Sequence, residues 1–198
     1  MTTVRFEFVP AKLIAAVAYF ASAGLPKLDK LKTVKLLYFA DKEHLLAHGR
    51  PILGDVYFCM PHGPVPSYSK NIIDDTLDDS DAEQGLLRYV GVAVDPSHRY
   101  PTFVPKGAPD MGQLSRSEIA ALDQTIHRYG QLDPWSLRNL SHKEPCWVIA
   151  NDGKPDGVQS VPMPYELFFE GVGGDSATML ELARDEQEDR ELLNNLFR

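Results

Sequence analysis

Six histidines, two cysteines and twenty-eight acidic residues are the chain's material for chemistry, and their spacing decides which reactions are open. His44 and His48 stand four residues apart, so one helix offers both imidazoles on one face, with Asp41 a turn earlier. A metal centre asks for more. No glutamate follows the first histidine in HEXXH fashion, and a third ligand has to come from elsewhere, with His62 the available candidate. His62 and His142 sit beside structure-making residues, Gly63-Pro64 and Glu144-Pro145, and either is chemically able to act as a general base. Neither has a nucleophile to serve: there is no serine elbow, and Cys146, between Pro145 and Trp147, reads as buried. No phosphate loop or dinucleotide fingerprint occurs. Asp74, Asp75, Asp78, Asp79 and Asp81 cluster, but they lack the glycine and the closing bidentate glutamate of a calcium loop, and read as a helix end and polar loop. The expectation is therefore no catalytic residue, no metal ligand and no cofactor, with the histidines hydrogen-bonded at turn corners.

The more informative carboxylate is Asp41. At about 100° per residue, Leu31, Val34, Leu37, Tyr38, Asp41 and Leu45 share one side of a helix, which puts an acid inside an apolar stripe. An unpartnered carboxylate there costs several kcal/mol. Its donors are expected from the segment that follows, as backbone N–H groups or a side chain, with Arg50, His62 and Ser67 the first choices. Asp41, Arg50 and Ser67 thus form the expected polar core. Positioning them requires a helix from about Leu28 to His48, with Lys32, Lys35 and Lys42 on a solvated outer face. Gly49 ends that helix in the left-handed conformation, and Arg50-Pro51 sends the chain out extended. Val56 to Met60 makes a strand that Pro61, Pro64 and Pro66 keep from continuing into a sheet interior. His62 to Ser67 follows as a stiff, proline-locked loop.

Around this centre, 198 residues suit one globular domain able to bury a core without staples. Cys59 and Cys146 are too few for a disulfide scaffold and read as small buried apolar residues. A net charge of −8 disfavours nucleic acid as the main partner. Leu13 to Ala23 imitates a secretory signal, but its stripe of Leu13, Ile14, Val17, Phe20 and Ala21 is that of a packed first helix, opened by Pro10 and ended near Gly24. The chain is read as cytoplasmic, with no membrane association. Val4 to Phe8 alternates as a short edge strand or a tail. Tyr68 to Leu77 reads as a helix. Leu86 to Val94 and Tyr100 to Val104 make a hairpin that would extend the first sheet. Ser115 and Glu118 form a capping box with Leu114 and Ile119 as its staple. Ile119, Leu122, Ile126 and Tyr129 then face the core up to Gly130. Asp133-Pro134 opens a helix with Trp135, Leu137 and Leu140, and Pro145 another with Trp147. Residues 151–164 read as a loop, Pro164 to Phe169 as a short helix. The last helix, Asp175 to Phe197, has Met179, Leu180, Ala183, Leu193, Leu196 and Phe197 as its apolar set and a charged middle, so it is half-docked or free to swing. The fold class is α+β, predominantly α-helical, a compact helical domain with a small antiparallel sheet or hairpin. Residues 1–174 form the domain and 175–198 its C-terminal helix.

The string KLLYFADKEHLLAHGRPILGDVY, followed by MPHGPVPS, closely resembles the Panacea domain of SocA-like antitoxins. The stretch LSRSEIAALDQTIHRYGQLDPWSLRNLSHKEPCW resembles that family's second block. The resemblance implies a bacterial or phage antitoxin, not an enzyme, that neutralises a co-encoded toxin by direct contact. In the SocA-like branch it also implies an adaptor delivering the toxin to an ATP-dependent protease. Stiff, exposed aromatic elements lose little entropy on binding, which singles out Tyr57, His62, Pro64 and Tyr68 for the partner, with the hairpin and the C-terminal helix beside them. A homodimer is compatible with the apolar C-terminal helix. Two alternatives stand beside this reading. One is a DNA-binding autorepressor using the helices between Leu114 and Leu140, against which Glu118, Asp123 and Asp133 give poor phosphate complementarity. The other is a metal-dependent hydrolase built on the histidines.

Overall fold

The computed structural model describes residues 3–78 and 85–196. Within them the helices are α1 (Pro10–Ser22), α2 (Lys30–His48), α3 (Ser67–Asp78), α4 (Arg116–Tyr129), α5 (Pro134–Ser141), α6 (Pro145–Asp152) and α7 (Ser176–Leu196). The strands are β1 (Tyr57–Met60), β2 (Gly63–Pro66), β3 (Val90–Ala93), β4 (Thr102–Pro105) and β5 (Val161–Pro162). The chain is α+β and predominantly helical, as its periodicity implies.

Helix α2 is the axis. Asp29 caps it by accepting the Lys32 amide at 2.8 Å, and Gly49, at φ +69°, closes it in the left-handed region. Ten consecutive residues, Lys32 to Asp41, are buried, because α4 and α5, β2, α7, α1 and α3 surround the helix. This corrects the solvated face expected at Lys32, Lys35 and Lys42. The aliphatic stems of Lys32 and Lys35 pack as hydrocarbon, and their amines, buried as well, are satisfied by carbonyl oxygens. Lys32 Nζ donates to the carbonyls of Pro26 (2.6 Å) and Gly130 (2.8 Å), Lys35 Nζ to that of Pro64 (2.6 Å), and half-buried Lys42 pairs with Glu144. Gly130 itself packs tightly: a Cβ there would lie 2.9 Å from Leu25 Cδ2 and 2.5 Å from the Ile126 oxygen.

The expected proline loop is in fact β2, the second arm of a tight hairpin with β1, in a sheet of order β2-β1-β5. Register explains how a strand tolerates two prolines. Met60 faces Gly63 across a two-residue turn, Phe58 faces Val65, and the Ser67 amide donates to the Val56 oxygen at 2.9 Å. Antiparallel pairs alternate between bonded and non-bonded, so Pro64 and Pro66 fall where an N–H would point away from β1. The loop assigned to 151–164 contains β5, whose Pro162 opposes Phe58 and whose neighbour Met163 donates to the Tyr57 oxygen at 2.8 Å. The β3–β4 hairpin exists but forms its own two-stranded sheet and does not extend the first. Residues 3–9 are extended without strand pairing; Val4 is buried and the Val9 amide donates to the Leu53 oxygen.

The second half follows its local signals closely. Ser115 and Glu118 form both bonds of the capping box, Asp133 accepts the amides of Trp135 and Ser136, and Pro134 and Pro145 open α5 and α6. A one-turn helix covers Tyr165–Phe169 and sends Tyr165, Phe168 and Phe169 into the core. Cys59 and Cys146 are both free and buried. Helix α7 is docked through Ala183, which is fully buried, and Leu182, which lies against Gly49. Asp79 and Asp81 of the acidic cluster and Phe197 lie outside the described residues, as do the side chains of Asp78, Leu193 and Leu196. Among the described residues no helix is long and apolar enough to cross a membrane.

Candidate functional site

Asp41 lies in the core, and three donors meet it. Oδ1 accepts the amides of Ile52 and Leu53, each at 2.9 Å, and Oδ2 accepts the Tyr57 hydroxyl at 2.9 Å. Burial pushes its pKa up to about 7 against the pull of these donors. The corner after Gly49 therefore supplies backbone donors, and none of Arg50, His62 or Ser67 takes part. Arg50 turns instead to Glu118, at 3.1 Å, and half-buried Ser67 spends its amide on Val56. A second buried acid, Asp55, holds the start of α3 by accepting the amides of Tyr68 (2.9 Å) and Ser69 (2.7 Å) and the Ser69 hydroxyl (2.6 Å). It lies twelve residues before α3 begins, too far for any local capping pattern to reveal it.

His44 is a structural hook. Its Nδ1 donates to the Arg50 carbonyl at 2.7 Å, so Nε2 is left to accept the Ser117 hydroxyl at 3.0 Å. Burial lowers its pKa to about 4, so it is neutral near pH 7. His48 is exposed beside it, ring centroids 4.6 Å apart. Among the described residues no three His, Cys, Asp or Glu side chains gather as a metal site would require.

The residues expected at a partner surface divide. Tyr57 is 1% exposed and Pro64 is buried in β2, so both belong to the interior. Tyr68 is exposed and its ring lies tilted against Phe8, ring centroids 5.4 Å apart. His62 is exposed at the tip of the β1–β2 hairpin, where its ring meets Trp135 edge-on at 5.8 Å.

That tip is held from three sides. The Met60 carbonyl accepts Trp147 Nε1 (3.2 Å), the Pro61 carbonyl accepts Arg138 Nη2 (3.1 Å), and the Pro64 carbonyl accepts Lys35 Nζ. Gly63, at φ +96°, passes so close to this support that a Cβ would lie 2.4 Å from Ser141 Oγ and 2.9 Å from Lys35 Nζ. Burial, with Arg138 nearby, lowers Lys35 to about 7. His142 stacks flat on Trp147 at 4.1 Å and is lowered to about 4 by burial and by Arg138 and Lys35. Nitrogen donors, from Lys35, Arg138 and Trp147, thus collect beneath a turn whose carbonyls point at them.

Beside the tip a groove of about 430 Å³ opens, walled by Leu31 and Val34 of α2, by Pro61 and Trp135, and by Tyr100 and Pro101 from the β3–β4 connection. Trp135 is 51% and Tyr100 43% exposed. Lys30 and Lys70 stand at its edge, both paired to Asp74. Trp135, Leu137 and Leu140 share helix α5 as expected, and since two residues are about 200° on a helix, exposed Trp135 faces away from buried Leu137.

A family model described as antitoxin SocA-like, Panacea domain, matches residues 34–148. The match runs from within α2 into α6 and includes Asp41, the hairpin, the capping box and Trp135. No match was found among curated proteins or among solved structures.

Proposed function

Since the chain belongs to the SocA-like, Panacea-domain antitoxin family, we propose that it neutralises a toxin encoded beside it by direct protein–protein contact. The observation that carries this is the hairpin tip: a turn fixed by Lys35, Arg138 and Trp147, presenting His62, next to a groove walled by exposed Trp135 and Tyr100. Preorganised aromatic surfaces of this kind suit binding because little freedom is lost when they are covered. The buried histidine and carboxylates spend their hydrogen bonds on the fold, which fits a scaffold that grips.

The test is co-expression with the product of the adjacent gene. Growth arrest by that product, relieved when this chain is made, is the expected result; arrest that persists despite soluble expression of the chain would refute the reading. The amount of toxin in rescued cells separates two modes. An unchanged level means occlusion, whereas a fall that requires an ATP-dependent protease means the chain acts as an adaptor.

A further inference from the structure

We propose that the groove beside the hairpin tip is the toxin-docking surface, and that it takes a segment carrying a large apolar side chain flanked by carboxylates. The proposal rests on the antitoxin reading for the identity of the partner; its chemistry comes from the groove. The walls are apolar and two of them are half-exposed aromatics, Trp135 and Tyr100. A volume of about 430 Å³ lies within the roughly 300–1,000 Å³ of ligand pockets, enough for an inserted side chain with part of its backbone.

Charge selects the flanks. The charged residues lining the groove are Lys30, Lys35, Lys70 and Asp29. The one acid is already committed: Asp29 Oδ1 accepts the Lys32 amide and Oδ2 lies 3.0 Å from His98 Nε2, and the residue is 2% exposed. Asp74 is shared between Lys30 and Lys70, one carboxylate for two ammonium groups. Lys35 lies beneath the groove with its Nζ donating to the Pro64 carbonyl, and burial lowers its pKa to about 7, so Lys30 and Lys70 carry the charge that faces a ligand. Lysines thus outnumber carboxylates along this groove, in a chain of net charge −8. An acidic segment is repelled by the net charge of the chain and attracted by the lysines at this groove, which favours both orientation and specificity. A basic segment finds no free carboxylate among the lining residues.

The test uses the full chain panned against a phage-displayed library of random dodecapeptides, with enriched sequences then synthesised and titrated. Enrichment of Trp, Phe or Leu adjacent to Asp or Glu is expected. Affinity should fall about tenfold or more in Trp135→Ala, fall in Lys70→Gln, weaken with added salt, and stay unchanged in Leu192→Ser on α7. Circular dichroism and melting confirm that each variant is folded. Enrichment of basic or uncharged sequences, no enrichment at all, or binding indifferent to Trp135 would overturn the proposal. The rescue assay supplies the second arm. If the wild-type chain relieves arrest and Trp135→Ala does not, the toxin occupies the groove. If both relieve it equally, the toxin docks elsewhere and the proposal fails while the antitoxin reading stands. A wild-type chain that gives no relief refutes the antitoxin reading, and with it the toxin as occupant, while the peptide titrations still decide whether the groove selects acidic segments.

Discussion

Asp41 and His44, both displaced from their ordinary acidities by burial, tie α2 to the corner that follows it. Asp41 joins α2 to the corner at Ile52 and Leu53, and replacing it with alanine strands two buried amides and a hydroxyl. At about 1–3 kcal/mol for each buried group left without a partner, part of it recovered by relaxation, Asp41→Ala should cost roughly 3 kcal/mol in denaturant unfolding. Its pH signature has a definite sign. Folded Asp41 keeps its proton up to about pH 7, against an ordinary value of 3.8, so its contribution is full below 3.8 and is lost as pH rises through 7. Asp41→Asn, which does not titrate, should therefore close on the wild type in stability as pH rises from below 4 to above 7. His44 runs the other way. Its folded value is about 4 against 6.5, so its contribution is full above 6.5 and is lost as pH falls through 4. His44→Asn, which retains a donor for the Arg50 carbonyl, should flatten the acid limb of melting temperature against pH. The two windows overlap, so the wild-type profile between pH 4 and 6.5 is a partial cancellation that the single variants resolve.

At the scale of elements, what was legible in the sequence was whatever a short window contains. The capping box at Ser115, the Asp133-Pro134 start and the Gly49 stop each satisfy orphan groups within four residues, and each is present as read. What was hidden depends on distance in sequence. Lys35 looked like a surface residue because its acceptor is 29 residues away. The MPHGPVPS segment looked like a loop because proline is depleted in strands, and only the register with Tyr57–Met60 shows that both prolines fall at outward positions. Tyr57 reads as a contact residue because nothing local in the sequence signals that its hydroxyl donates to Asp41. The hairpin gives its own prediction. Gly63→Ala combines a positive φ with a clash against Ser141 and Lys35, and should cost roughly 2–3 kcal/mol. It should also weaken the peptides selected by the groove, since the tip that carries His62 would shift. At Ser115, loss of the cap in Ser115→Ala should cost about 1 kcal/mol and leave that binding intact, which separates a general loss of stability from damage to the tip.

For the whole molecule, α2 is a spindle onto which the rest is tied by polar hooks: Lys32 to the ends of two loops, Lys35 to the hairpin, Asp41 to the corner, His44 to the corner and α4. Helix α7 is attached differently, by Ala183, by Leu182 against Gly49 and by the Gln187 side chain accepting the Arg5 amide at 2.8 Å. A chain ending at residue 174 should accordingly keep its fold and its near-ultraviolet signature while melting several degrees lower, and protease should release α7 before cutting the remainder. The arrangement of β2 carries a last implication. Its inward amides, at Gly63 and Val65, face β1, and its outward positions are Pro64 and Pro66, which have no amide to offer. A visiting strand would find no donors along that border, so neither a toxin nor another copy of the chain can stitch itself on by backbone pairing there. One common route into fibrils is thereby closed along this border, which presents side chains in place of backbone donors.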